Sequence, residues 1–236
     1  VTGTSPRVID LSGNDQIIHR LRSPSIGEQL RLLRRFSKEN PDYIVIECMA
    51  IMPEYQWVSE HKMLKSDVGV ITNVRMDHVD EMGYTMEDIT RSLVNTVPDN
   101  GKIITTTSPT SNIIKDKSID NKSEYFEVSG DQIQSDMMTK FPYLEHNENV
   151  ALALKVCKQA GVEEKTALSG MYQATPDPGA LQILTIQGKQ ISNRFINAFA
   201  ANDPQSTYQI FKLLKVHTDQ RHLAIFFNAR SARRYR

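Results

Sequence analysis

VGVITNVRMDHVD, residues 68–80, starts as an apolar, β-branched run and ends in a cluster of ionisable side chains. A run without polar alternation fits a strand buried on both faces, as in a parallel sheet. In parallel α/β sheets, ligands bind beyond the carboxyl ends of the strands. The polar tail lies at that end, with Asp77, His78 and Asp80 spaced as DHxD. A second apolar run, residues 43–48, reads as another buried strand and carries Glu47 near its tip.

Between and beyond these runs the pattern alternates. Residues 29–40 place Leu30, Leu32, Leu33 and Phe36 on one helical face, ended by Asn40-Pro41. Residues 54–65 read as a helix. So do 85–97, with Thr85 as N-cap and Asp88 completing a capping box. Strands are expected near 7–11, at 102–106 and at 125–128, with a charged loop at 115–122. Helices are expected at 147–160, stopped by Gly161, and at 163–172. After Pro176-Asp177-Pro178-Gly179 the pattern restarts with strands at 182–186 and 194–198, a helix at 205–216 and a strand at 223–227. Strand–helix alternation implies right-handed βαβ units, an α/β fold with a mostly parallel sheet flanked by helices. The break near 176–190 divides the chain into domains 1–180 and 181–236.

Composition excludes several classes. The 236 residues are 39% hydrophobic and 24% charged, and 28 Lys plus Arg balance 28 Asp plus Glu. That balance gives no electrostatic footprint for nucleic acid. The terminal Arg230, Arg233, Arg234 and Arg236 read as a strand-to-loop transition rather than a phosphate patch. No apolar run approaches the roughly 20 residues of a membrane helix. Cys48 and Cys157, each within an apolar run, read as buried free thiols of a reducing compartment.

A carboxylate and an imidazole at two strand mouths suit a divalent cation bound to nucleotide phosphate. Mg²⁺ takes only one or two protein ligands and fills its shell with water and phosphate. The spacing fits equally well with Glu47 capping the next helix and His78 meeting a loop carbonyl.

ECMAIMPEYQ (47–56), TNVRMDHVDEMG (72–83), PDPGALQIL (176–184) and FINAFAANDPQST (195–207), with SIGEQ (25–29), resemble the ligase subunits of bacterial poly-γ-glutamate synthases. These are a branch of the Mur ligase and folylpolyglutamate synthase superfamily. The resemblance implies an incomplete Mur-ligase central domain followed by the start of a Rossmann-like C-terminal domain. It implies an ATP-dependent amide ligase that polymerises glutamate through the γ-carboxyl by way of an acyl phosphate. ATP and Mg²⁺ (or Mn²⁺) are the implied cofactors. Glutamate, the growing poly-γ-glutamate chain and membrane subunits of a synthase are the implied partners, at the cytoplasmic face of the membrane. Residue by residue, Glu47 matches the family's Mg²⁺-binding glutamate, and His78 matches its metal-associated histidine. Asp77 and Asp80 match groups that orient His78 or its loop. Asn149 matches the asparagine that meets the nucleotide base. Asn202 and Asp203 match a loop that closes over nucleotide or substrate, with Ser206 and Thr207 at the following helix N-terminus.

Three departures accompany the match. No glycine-rich loop ending in Gly-Lys-Ser/Thr occurs in these residues. The position of the carbamoylated lysine of many Mur ligases falls near Ser92. The hinge Gly-Arg becomes Gly179-Ala180. Both chain ends read as truncations, and the piece alone is expected to be inactive. The alternatives are another Mur- or folylpolyglutamate-type ligase, or a truncated non-catalytic fragment.

Overall fold

In the computed structural model, the described residues are 7–19, 26–176, 180–188, 192–199, 201, 204–214 and 224–226. They fall into two compact units. One is drawn from Val1–Gln132 with Asn147–Glu164, the other from Ile133–His146 with Lys165–Arg236.

The first unit opens with a hairpin, β1 (Arg7–Ile9) and β2 (Asp15–Ile17), paired antiparallel. Asp10 closes its turn by accepting from the backbone N–H of Ser12 and Asn14, both at 2.9 Å. Helix α1 (Ile26–Glu39) follows, then α2 (Pro53–Val58), which runs into a π-helical turn at Ser59–Leu64. Strand β3 (Val68–Ile71) leads to the short α3 (Val79–Met82) and to α4 (Met86–Leu93). Strand β4 (Lys102–Thr106), helix α5 (Ser111–Asp120) and strand β5 (Glu124–Val128) complete the sheet. In the second unit lies α6 (Ser135–Met138); α7 (Asn147–Gln159) returns to the first. Then come α8 (Glu164–Gln173), the hairpin strands β6 (Gln182–Gln187) and β7 (Ser192–Asn197), and α9 (Pro204–Leu213).

The sheet is parallel, ordered β3-β4-β5, with Gly69 beside Ile103 and Ile103 beside Tyr125. Its core is Ile71, Val74, Ile89, Val94, Val97, Ile103 and Ile114. Ile103, Ile104 and Ile114 are fully buried, and each such burial stabilises by roughly 1.5–3 kcal/mol. On α7, Val150, Ala151 and Leu152 are buried as the helix packs on β4 and β5. Lys155 Nζ lies 3.9 Å from the Phe126 ring centroid, linking α7 to β5. Gly69 permits a close approach, since a Cβ there would lie 2.8 Å from Pro98 Cδ.

In the second unit β6 and β7 form an antiparallel hairpin, Leu184 opposite Phe195. Phe141 packs edge-on against Tyr143 and Tyr172, and Leu144 N–H donates to Leu181 O.

Several expectations need correction. Residues 43–48 form no strand; they carry no regular secondary structure, and Val45 is 86% exposed. A strand requires a neighbouring backbone, and among the described residues none pairs with it. Residues 115–122 are largely helical, in α5, because Ile114 and Ser118 face inward while the lysines project to solvent. Cys48 is exposed and Cys157 half-buried, so neither is a core thiol. The β3 strand ends at Ile71, short of Val74. Of the strand expected at 223–227, the described residues 224–226 carry no ladder, and Leu223 and Phe227 lie outside the described residues.

Candidate functional site

The carboxyl ends of β3, β4 and β5 share one side of the sheet because the three strands are parallel. His78 lies beyond β3 as the N-cap of α3, in the left-handed region at φ 50°. That conformation is uncommon for a residue with a Cβ and marks a position held by its surroundings. Asp77 holds it, since its Oδ1 accepts the His78 backbone N–H at 2.8 Å. The imidazole is partly exposed, with Nε2 3.8 Å from Asp77 Oδ2 and Nδ1 3.9 Å from Glu81 Oε2. Asp80 turns away to accept from Tyr84 Oη at 3.0 Å, so it orients the loop rather than the ring. The residue missed from sequence is Glu81, one turn along α3 from His78, where i,i+3 side chains share a face.

Below this turn, Thr85 caps α4. Its Oγ1 accepts from Asp88 N, and Asp88 Oδ2 accepts from Thr85 N, the capping box read from the sequence. Ser92, near which the resemblance puts the carbamoylated lysine of many Mur ligases, is buried and donates to Gln56 Oε1 at 3.1 Å.

Glu47 is exposed in the irregular segment between α1 and α2. Its backbone oxygen accepts from Gln29 Nε2 at 3.1 Å. Beside it, desolvation pushes the Cys48 thiol pKa up, and the charges of Glu60 and Glu47 push the same way. The residue as a whole is exposed, yet enough protein surrounds the sulfur for that effect. A thiol so disposed stays protonated and is no nucleophile.

Asn149 is exposed in the first turn of α7. That helix starts against the loop after β5, where Asn147 Nδ2 donates to Gly130 O at 3.4 Å. His78 and Asn149 therefore sit at the same edge of the same sheet. Thr106 Oγ1, donating to Thr72 O at 2.8 Å, joins the loops after β3 and β4 there. Asn202 and Asp203 lie outside the described residues, as do Arg230, Arg233, Arg234 and Arg236. No group of three or more His, Cys, Asp or Glu among the described residues is arranged to hold a metal ion. An ion held by Glu47 and His78 would take its remaining ligands from water and phosphate, which suits Mg²⁺ and Mn²⁺.

The Mur ligase middle domain matches residues 19–175, two thirds of the chain. The chain belongs to the Mur ligase family. Its remaining part, residues 183–236, matches the poly-gamma-glutamate synthase CapB C-terminal domain. Among relatives of this Mur ligase family chain, the PGA synthase CapB of Bacillus subtilis (strain 168) is 36% identical over 216 residues, covering 91% of this chain and 55% of that protein. The capsule biosynthesis protein CapB of Bacillus anthracis is 35% identical over 213 residues, covering 89% of this chain and 46% of that protein. The chain thus spans about half the length of these relatives. MurF from Acinetobacter baumannii superposes with a TM-score of 0.55 at 16% identity, over 69% of this chain and 39% of that one. E. coli FolC, in complex with DHPP and ADP, superposes at 0.53 and 19% identity, over 67% and 40%. Both show the α/β fold that the sequence implies.

Proposed function

We propose that the full-length protein carrying this chain is an ATP-dependent ligase that polymerises glutamate through the γ-carboxyl. The observation that carries this reading is the 36% identity to a PGA synthase across 91% of the chain. The match of residues 183–236 to a poly-gamma-glutamate synthase domain supports it. We place the boundary between a central nucleotide-handling domain, 1–180, and a C-terminal domain, 181–236, in the Pro/Gly-rich break.

In this reading a carboxylate accepts the γ-phosphoryl group of ATP, leaving ADP, and the incoming amine displaces phosphate to form the amide. Catalysis of this kind rests on positioning and on neutralising phosphate charge. Mg²⁺, when bound, supplies that neutralisation. Glu47 contributes a carboxylate oxygen and His78 an imidazole nitrogen to hold it. Asp77 fixes the His78 backbone, and Glu81 faces the ring nitrogen on the other side. Asn149 meets the nucleotide base; Asn202 and Asp203, the other two residues assigned to nucleotide or substrate, lie outside the described residues. The 236 residues contain no Gly-Lys-Ser/Thr loop, so these groups alone give the β- and γ-phosphates no cradle of backbone amides.

No helix among the described residues is long and apolar enough to cross a membrane. The placement at the cytoplasmic face, with membrane subunits as partners, rests on chemistry: ATP is consumed inside the cell, whereas a capsule polymer must leave it.

The test is phosphate release by the full-length protein with ATP and Mg²⁺ or Mn²⁺, with and without glutamate. Glutamate-dependent release is expected, and Glu47→Ala or His78→Ala lowers it by about 10- to 100-fold or more. Release indifferent to glutamate overturns the reading.

A further inference from the structure

The segment that carries Glu47 has no strand ladder among the described residues to fix its path. Ile44 and Val45 project into solvent, so packing holds the segment only around Ile46 and Cys48. A backbone in that state opens readily unless other groups hold it. Among the groups that do so are two side chains. Tyr43 Oη donates to Ala160 O at 2.7 Å, at the start of the segment and the end of α7. Gln29 Nε2 donates to Glu47 O at 3.1 Å.

The second bond is the more consequential. Gln29 stands in the first turn of the 14-residue helix α1, on a rigid element, and is 3% exposed. Water does not compete for its amide, so the bond is stronger than one at the surface. It meets the backbone of the very residue whose side chain would ligate the cation. A catalytic group displaced by about 1 Å can lose two orders of magnitude.

We propose that Gln29 is a positioning residue for the metal-binding carboxylate. Its buried side-chain amide fixes the Glu47 backbone, with Tyr43 as a second tether at the segment's other end. The inference rests on the proposed role of Glu47 in holding the nucleotide-bound cation.

The test is direct Mn²⁺ binding to the full-length protein with a non-hydrolysable ATP analogue, read from the free Mn²⁺ signal in electron paramagnetic resonance. Gln29→Met keeps the volume and removes the donor; its dissociation constant should rise about tenfold. Glu47→Gln, measured alongside, should raise it at least as much. An unchanged constant in Gln29→Met, with a raised one in Glu47→Gln, overturns the positioning role and leaves the functional reading intact. Unchanged constants in both overturn the role of Glu47 itself. Should Gln29→Met fail to fold, Tyr43→Phe carries the test, because Tyr43 is 64% exposed and its hydroxyl is not needed for packing. Its constant should rise several-fold, and no rise overturns the proposal.

Discussion

At the residue scale, the most telling side chains outside the candidate site are those of the π-helical turn at Ser59–Leu64. Glu60 is buried there, and Ser66 donates to it twice, from its backbone at 2.8 Å and its hydroxyl at 3.0 Å. Desolvation outweighs these bonds and pushes the Glu60 carboxyl above its ordinary 4.5. A carboxyl raised in the fold favours the protonated folded state. The associated stability is present below pH 4.5 and is lost as the pH rises through the folded value. Glu60→Gln removes the ionisation and keeps an acceptor for Ser66. The melting temperature of the variant minus that of the parent should therefore increase between pH 4.5 and 7. A calorimetric series across that window checks it; a difference that shrinks with pH contradicts it. Next to Glu60, His61 Nδ1 lies 2.9 Å from Asp99 Oδ2, with its ring beside Trp57.

At the element scale, the α3–α4 corner shows what a sequence can and cannot disclose. The capping box at Thr85 was legible because it depends on residues three apart, whichever fold surrounds them. Strand β4 at Lys102–Thr106 was legible because a buried β-branched run between turn residues admits few alternatives. Residues 43–48 are likewise rich in β-branched side chains and form no strand. Pairing is a property of the neighbour, which composition does not encode. The 115–122 stretch misled in the opposite direction, because its charges hide the spacing of Ile114 and Ser118. Of the proposed site, Glu47 and His78 were named from the sequence, whereas Gln29 and Glu81 were not. Their roles depend on a bond to a backbone oxygen and on a helix face, neither of which spacing displays. The same corner gives a sharp mutational contrast. Gly83, which ends α3, has φ 112° and ψ 167°, and a Cβ there would lie 2.3 Å from Asp88 Cβ. Gly83→Ala should cost about 1–3 kcal/mol or more, because that backbone region is open essentially to glycine alone. Gly161 has φ 75° with nothing near its missing Cβ. Gly161→Ala should cost only about 1–2 kcal/mol. Thermal unfolding of the two variants orders them, and an equal or reversed order contradicts the steric reading.

At the scale of the whole molecule, the chain combines a parallel three-stranded sheet, flanked by helices, with a C-terminal segment of the poly-gamma-glutamate synthase type. The family was legible because its signature segments recur in order along most of the chain, and the family models match residues 19–175 and 183–236. Asn202 and Asp203 lie outside the described residues. The central claim is spatial: Glu47 and His78, distant in sequence, bind one cation at the nucleotide phosphates. The most direct measurement is electron spin-echo envelope modulation of Mn²⁺ in the full-length protein with a non-hydrolysable ATP analogue and ¹⁵N-labelled histidine. The account predicts coupling to one imidazole nitrogen, lost in His78→Ala, and loss of the same nucleotide-dependent site in Glu47→Ala. Coupling that survives His78→Ala, or a site unaffected by Glu47→Ala, would contradict it.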